Sequence, residues 1–473
     1  MFQPVWIRQP VSFKISEFLA RNCATSSGTI LKQNSKINIK SCSLLRNSTF
    51  PEYVPSHHSK LHNIIWRKPL ENIYIVKKPW NDSVTEAMSK FIRHIHECYP
   101  AVNVIVSDDV GDELLEITGE RGIRLSNSND DDGVSSTDSG VEDLISGVSD
   151  SNKITLYTGT MAEIVDKTDL VVTLGGDGTI LRAVSTFSNS NVPPVLSFAL
   201  GTLGFLLPFD FSKFKETFAM MYDSRAKALH RSRLECHVIR KEPEMVESAY
   251  SAQQRQLIEK VKHQHNHSTT MMHAMNDISL HRGSQPNLTS LDVYVDNSLL
   301  TSSTADGLIF STPTGSTAYS LSAGGSITHP SVECILLTPI CPRSLSFRPL
   351  ILPSTLHIRI QMSERNRNAA IKLSIDGIPQ QDLRPGDQIH VVSETGTIFM
   401  PGNKLPKNNK RNGIDGGSEI DGEESGETPD TLVRKKSPYK GIWCVARSET
   451  DWTTDINNLL GFNTSFRENT RKS

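Results

Sequence analysis

No Gly-Lys dipeptide occurs in the 473 residues. That excludes a Walker-type phosphate loop, whose lysine directly follows a glycine. Cysteine is sparse: seven residues lie scattered without the paired spacing of metal sites, and the odd total leaves one unmatched in any disulfide framework. A reducing compartment follows. Neither sign of charge dominates, since the net charge is −2, and nothing points to a nucleic-acid partner. Residues 183–209 lack charge for longer than a membrane span requires, but Pro193, Pro194, Pro208, Gly201 and Gly204 interrupt them, so no membrane segment is expected. Acid is almost missing from the amino-terminal part, where Glu17 is the only acidic residue up to Phe50. No apolar core follows the start, which excludes a secretory signal. A basic, acid-poor bias suits a disordered regulatory tail or a mitochondrial presequence, so a cytoplasmic location is expected with the mitochondrion as the alternative.

What the chain does contain is centred on Leu170 to Arg182, LVVTLGGDGTILR. An apolar run stops at Gly175-Gly176-Asp177-Gly178-Thr179 and resumes with helical spacing, which reads as a buried strand, a tight turn and a helix start. The glycines bare the backbone N–H groups to an anion. Asp177 is the exception, because a carboxylate there repels phosphate unless a cation or a reacting hydroxyl stands between them. An ordinary glycine turn is the bland alternative.

Residues 1–68 are expected to be a disordered basic tail, with order beginning near Asn72. Ile73 to Val76 reads as a strand, Ser83 with Glu86 as a capping box opening a helix through Phe91, Ile92 and Ile95, and Ala101 to Val106 as a second strand. Strand, helix, strand predicts a parallel α/β domain over 69–224, with a polar disordered insert at 125–152. Pro194 to Leu200 is a further buried strand ending in Gly201-Thr202-Leu203-Gly204-Phe205-Leu206, so two turns lie at carboxyl ends of strands, where open parallel sheets bind ligands. Phe214, Phe218 and Met221 form the core face of a helix closing this domain.

From 225 to 400 the pattern becomes short alternating strands: His237 to Ile239, Ala274 to Leu280, Leu291 to Val295 and Leu308 to Phe310, with Asp296-Asn297 as a hairpin turn. The second domain is therefore β-rich. His263, His265, His267 and His273 sit in a polar stretch, where solvated alternation is a better account than zinc. Residues 401–440 are expected to be a second disordered insert, and 441–473 return to the folded body through Trp443 to Val445 and a helix bearing Trp452, Ile456, Leu459 and Leu460.

The second chemical stretch runs from Asp306 to Ser320, where six hydroxyls and one aromatic ring crowd around Pro313 and Gly315. Uncharged donors and acceptors of this kind suit ribose hydroxyls and a base. Asn276-Asp277 adds an amide beside a carboxylate, a pairing equally at home in a turn.

Five motifs in this order, LGGDGTIL, LGTLGFL, Asn276-Asp277, DGLIFSTPTGSTAYSLSAGG and ICPRSLSFRPLILP, resemble the NAD kinases, which phosphorylate NAD to NADP with ATP. The likeness covers roughly residues 70–400 and the segment from Trp443, with a flavour of the animal cytosolic members in Leu61 to Lys78. It implies a nucleotide-binding α/β domain followed by a β-sandwich, NAD held between the two, Mg²⁺ or another divalent cation with ATP, and a homo-oligomer, dimer or tetramer. By position, Asp177 resembles the catalytic residue, and Gly175, Gly176, Gly178 and Thr179 the phosphate-binding turn. Asp177, Gly178, Phe205, Asn276, Asp277, Asp306, Thr317, Ala318, Tyr319, Ser320, Leu321 and Ser322 resemble the NAD contacts. No protein ligand to a metal is assigned. Asp277 departs from the family, where a longer Glu is common. Diacylglycerol kinases, sphingosine kinases and phosphofructokinases share the Gly-Gly-Asp-Gly turn, so a lipid kinase stays open, as does a non-catalytic NAD-binding protein on the same fold.

Overall fold

Runs of apolar residues each closed by a polar or glycine-rich turn set the order of elements. In a computed structural model of the chain, the described residues are 36–56, 59–118, 153–201, 204–241, 270–363, 366–394, 398–399, 431–432 and 440–461. They divide into two units, one taking in residues up to 183, 193–228 and those from 445, the other 184–192 and 229–444.

The first unit is α/β. Its elements are β1 (Lys36–Ser41), β2 (Glu52–Pro55), β3 (His62–Ile65), β4 (Asn72–Lys77), α1 (Asp82–Cys98), β5 (Asn103–Ile105), α2 (Asp108–Thr118), β6 (Lys153–Thr158), α3 (Met161–Lys167), β7 (Leu170–Gly175), α4 (Asp177–Ser185), β8 (Val195–Ala199), β9 (Phe209–Asp210), α5 (Phe214–Tyr222) and β10 (Lys227–Arg231). Strands β1-β6-β5-β4-β7-β8 lie side by side in that order, all parallel. Every residue of β4, β7 and β8 is buried, as strands covered on both faces require. Phe91 of α1 meets Phe218 of α5 edge-on at 5.6 Å and Phe198 of β8 at 6.0 Å, so these helices share an aromatic core with the sheet. No helix among the described residues is long and apolar enough to cross a membrane.

The second unit is antiparallel. It contains β11 (Leu234–Ile239), β12 (Thr270–Ala274), β13 (Asp277–His281), β14 (Thr289–Val295), β15 (Ser298–Ala305), β16 (Gly307–Ser311), α6 (Tyr319–Ser322), β17 (Cys334–Ile340), β18 (Leu350–Pro353), β19 (Ile358–Met362), β20 (Lys372–Ile375), β21 (Ile378–Pro379) and β22 (Gln388–Ser393). One sheet runs β12-β11-β22-β19-β14-β15 and the other β18-β17-β16-β13-β20-β21. Their inner faces share one buried cluster that includes Leu234, Val293, Ile360 and Val391 from the first sheet and Ile278, Phe310, Leu337 and Leu373 from the second. This is the sandwich. Asp296 and Asn297 turn β14 into β15 with φ of 46° and 68°, the geometry that two-residue hairpins demand. Beyond β22 follow β23 (Ile398–Phe399), β24 (Thr431–Leu432), β25 (Ile442–Ala446) and α7 (Asp451–Leu460), with Ile456 buried.

Four expectations need correction. The tail does not extend to residue 68, because β1 pairs with β6 from Lys36↔Lys153 to Ser41↔Thr158, and Leu61 and Ile64 are buried. Lys and Asn in KINIKS mask an edge strand that needs only one apolar face. The segment behind it is tied down by the fully buried Asp169, which accepts hydrogen bonds from Arg46 (2.9 Å), Thr49 N (2.6 Å) and Asn72 N (2.9 Å). The capping box is also elsewhere. Asn81 caps α1 by accepting from Val84 N at 3.2 Å, Ser83 lies inside the first turn, and Glu86 pairs with Lys90, whereas Thr160 and Glu163 form a capping box on α3. Ala274 to Leu280 is not one strand, since β12 and β13 belong to different sheets and Met275-Asn276 separates them. Within the expected insert 401–440, Thr431–Leu432 pairs with Ile398–Phe399. The insert 125–152, the remainder of 401–440 up to residue 439, and His263, His265 and His267 lie outside the described residues.

Candidate active site

In the first unit the glycine turn leaves β7 and opens α4. Gly175 has φ 152°, and a Cβ there would lie 2.4 Å from Thr179 Oγ1 and 3.0 Å from Lys78 Cβ, so no other residue fits this exit from the strand. Gly176 and Gly178 have open space where a side chain would stand, which exposes their backbone to a ligand. Thr179 is buried and its N–H closes the turn on Gly176 O at 2.8 Å.

The Asp177 carboxylate is held from the turn that follows the neighbouring strand β8. Leu206 N–H donates to its Oδ1 at 3.2 Å, and a Cβ on Gly204 would come within 2.2 Å of Oδ1, 2.7 Å of Cγ and 2.9 Å of Oδ2. The turn after β8 is therefore shaped around the carboxylate of the turn after β7, and the half-buried Phe205 lies between those two contacts in sequence. The repeated Gly201-x-x-Gly204 pattern was the available signal, but which atom required it was invisible in sequence.

In the second unit Asn276-Asp277 is positioned by a residue that sequence reading missed. Asp376 and Gly377 form the two-residue turn between β20 and β21, with φ of 49° and 77°. The Asp376 carboxylate accepts from Met275 N (2.8 Å), Asn276 N (2.7 Å) and Asp277 N (3.1 Å), while its own N–H donates to Asp277 O at 2.9 Å. The string Ile375-Asp376-Gly377-Ile378 advertises a hairpin. Nothing in it points to a carboxylate turned back on another strand. Burial raises the Asp376 carboxyl to about 6 in spite of those three N–H groups. Asp277 is pushed up to about 7, first by burial and then by the charge of Asp376. One amide oxygen of Asn276 is buried with no protein partner, as an acceptor awaiting a hydroxyl would be.

The hydroxyl-rich stretch interlocks with that pair. Ser311 Oγ donates to Asn276 O at 3.2 Å, Thr312 Oγ1 to Met275 O at 2.6 Å, and a Cβ on Gly315 would lie 2.2 Å from Asn276 O. Ser316 bonds to Thr328, Ser320 to Thr338, Thr317 to Thr314 O, and Thr314 accepts from Arg231. The six hydroxyls thus all have partners inside the protein. They build the loop, a role that their suitability for ribose did not announce. Half-buried Thr317 and Ala318, exposed Tyr319, half-buried Leu321 and exposed Ser322 form the accessible rim. Asp306 stands apart, at the other end of β16 from Ser311, paired with Arg282. The Tyr319 hydroxyl is held above its usual pKa by partial burial first, with the charges of Asp277, Cys341 and Asp306 adding to the shift.

Among the described residues no three His, Cys, Asp or Glu side chains group as metal ligands. His273 is buried on β12 with its Nε2 3.6 Å from Glu235.

A parallel α/β unit with a Gly-Gly-Asp-Gly turn at its strand ends, followed by an antiparallel sandwich, defines a nucleotide-dependent phosphotransferase. Comparison with known proteins gives the family. The ATP-NAD kinase N-terminal domain matches residues 73–226 and the ATP-NAD kinase C-terminal domain residues 275–397. The mitochondrial NADH kinase of Saccharomyces cerevisiae is 46% identical over 480 residues, 100% of this chain and 99% of its own. That of Schizosaccharomyces pombe is 35% identical over 86% of this chain and 79% of its own. The crystal structure of yeast NADH kinase complexed with NADH superposes with a TM-score of 0.68 at 45% identity, covering 91% of this chain and 99% of that one. The chain belongs to the NAD kinase family.

Proposed function

We propose how the residues divide the work of phosphorylating NAD(H) with ATP, the activity that membership of the family carries. Asp177 aligns the 2′-hydroxyl of the adenosine ribose and accepts its proton late, because a carboxylate is a weak base for a free alcohol. The observation that carries this reading is the carboxylate itself, held by Leu206 N–H against Gly204 at the edge of an open glycine turn. The turn Gly175, Gly176, Gly178 and Thr179 holds phosphate oxygens, with the open backbone of Gly176 and Gly178 towards them and Thr179 N–H closing the turn on Gly176 O. Phosphoryl transfer through a loose transition state needs little more than such alignment and charge neutralisation. A divalent cation arriving with ATP would supply part of that neutralisation, and Asp177 is the carboxylate of the turn that would hold it.

On the second unit, Asn276 and Asp277 take ribose hydroxyls, and Asp306 and Thr317 to Ser322 are the further dinucleotide contacts; on the first unit the contacts are Gly178 and Phe205. The lipid-kinase alternative rested on the glycine turn alone and gives way to a family match in both units. NADH is proposed as a substrate beside NAD, and the mitochondrion as the location, on the strength of the two fungal NADH kinases. The cytosolic expectation finds no support in them. Self-association remains a proposal by resemblance, checked by light scattering at micromolar concentration.

Incubation of the purified chain with ATP, Mg²⁺ and NAD, NADH or sphingosine tests the function. NADP or NADPH is the expected product. Phosphorylated sphingosine without either dinucleotide product would overturn the assignment.

A further inference from the structure

The glycine turn has two flanks, because β7 lies between β4 and β8 and all three run parallel. On the β8 flank, Leu206 and Gly204 hold Asp177. The β4 flank is unassigned. There β4 ends at Lys77 and α1 begins at Asp82, so only Lys78-Pro79-Trp80-Asn81 connect them.

These residues have three features that packing does not require. First, the two adjacent lysines part company. Lys77 is buried and donates to Thr85 (2.9 Å) and Glu113 (2.8 Å), whereas Lys78 is exposed and its ammonium has no ion pair or hydrogen bond among the described residues. Second, Lys78 is at the turn itself: its N–H donates to Leu174 O at 2.9 Å, and its Cβ lies 3.0 Å from where a side chain of Gly175 would begin. Third, Trp80 is 98% exposed and has φ 50°, a left-handed conformation that costs a bulky residue strain. It stands between Pro79 and the N-cap Asn81. The strand exit therefore presents an uncommitted ammonium beside a bare phosphate turn, and next to it an indole open to solvent.

We propose that the β4–α1 connection is the donor-nucleotide subsite, with Lys78 contacting the triphosphate and Trp80 stacking on the base. This rests on the kinase reading above. Donor and acceptor oxygens lie on opposite sides of the phosphoryl group in an in-line transfer. With Asp177 held on the β8 flank for the acceptor, the donor takes the β4 flank. An ammonium serves as a point charge for phosphate, and stacking on an aromatic face is tolerant of the base presented.

Full-length Lys78→Gln, Trp80→Ala and Trp80→Phe are compared with wild type, with KM measured separately for ATP and NAD and with tripolyphosphate as a donor lacking a base. Lys78→Gln should raise KM for ATP at least tenfold and weaken tripolyphosphate use, leaving KM for NAD within about twofold. Trp80→Ala should raise KM for ATP about five- to thirtyfold without changing tripolyphosphate use, and Trp80→Phe should restore most of the loss. Both side chains are exposed, so thermal melting should match wild type. Unchanged KM for ATP in Lys78→Gln and Trp80→Ala, in protein whose wild type makes NADP from ATP, would overturn the subsite while leaving the kinase assignment intact. A wild type that makes no NADP would instead strike the reading on which it rests.

Discussion

Gly204→Ala is a severe test of the catalytic arrangement, because it adds one methyl group and touches no proposed ligand contact. The new Cβ would stand 2.2 Å from Asp177 Oδ1, where carbon and oxygen normally approach no closer than about 3.2 Å, so the carboxylate must retreat by roughly 1 Å. Asp177 is half-buried and has room to swing towards solvent, which breaks the Leu206 N–H contact. Overpacking of this kind costs about 1–3 kcal/mol of stability and leaves the fold in place. Misplacing a positioned group by about 1 Å can cost on the order of 100-fold in rate. The expected result is therefore a kcat lowered by about 30- to 300-fold, with KM for NAD and ATP within a few-fold and melting only slightly lower. The assay couples NADP formation to an NADP-specific dehydrogenase. A double-mutant cycle closes the test, since in an Asp177→Asn background Gly204→Ala should reduce kcat by less than about threefold. Wild-type kcat in Gly204→Ala, or a full additional loss in the double mutant, would refute the claim that Gly204 acts by making room for Asp177.

Asp177→Asn keeps volume and removes the charge, so kcat should fall about 100- to 10,000-fold while calorimetry finds NAD affinity changed by less than about tenfold. Asp376→Asn replaces one of the two oxygens that satisfy three buried N–H groups, which should cost about 1–3 kcal/mol in denaturant unfolding and weaken NAD binding through displaced Asn276 and Asp277. Thr317→Ala loses a rim hydroxyl and should weaken NAD by about 1–2 kcal/mol in calorimetry, with kcat at saturation little changed. Acid should destabilise the second unit through His357 and His390, whose buried rings stack with Nε2 2.8 Å from Nδ1. Burial holds them at about 4 and about 3, below the ordinary 6.5, so the fold favours their neutral forms. That stability is complete above pH 6.5 and is lost as pH falls through about 4 to 3. Urea unfolding midpoints across that window should drop steeply for wild type and less for His390→Gln.

Much of this protein was legible from sequence because the relevant physics is local. A run such as Leu170 to Leu174, apolar but for Thr173 and rich in β-branched residues, reads as a covered strand, a Gly-Gly-Asp-Gly string as a tight turn with bare amides, and Asp296-Asn297 between alternating residues as a hairpin. Five such strings in order were enough for the family. Tertiary structure alone decided the long-range choices. Arg46 and Thr49 are tied down because Asp169, more than a hundred residues away, supplies the carboxylate that satisfies them. Asp376 holds the backbone of Asn276-Asp277 across about a hundred residues of chain. The hydroxyls between Ser311 and Ser320 read as ligand groups in one dimension, and only the fold shows the bonds within the protein that they also make. Hydrogen-bond partners and steric limits such as the 2.2 Å left beside Asp177 depend on which strands become neighbours, and a residue string carries composition and period without that distance.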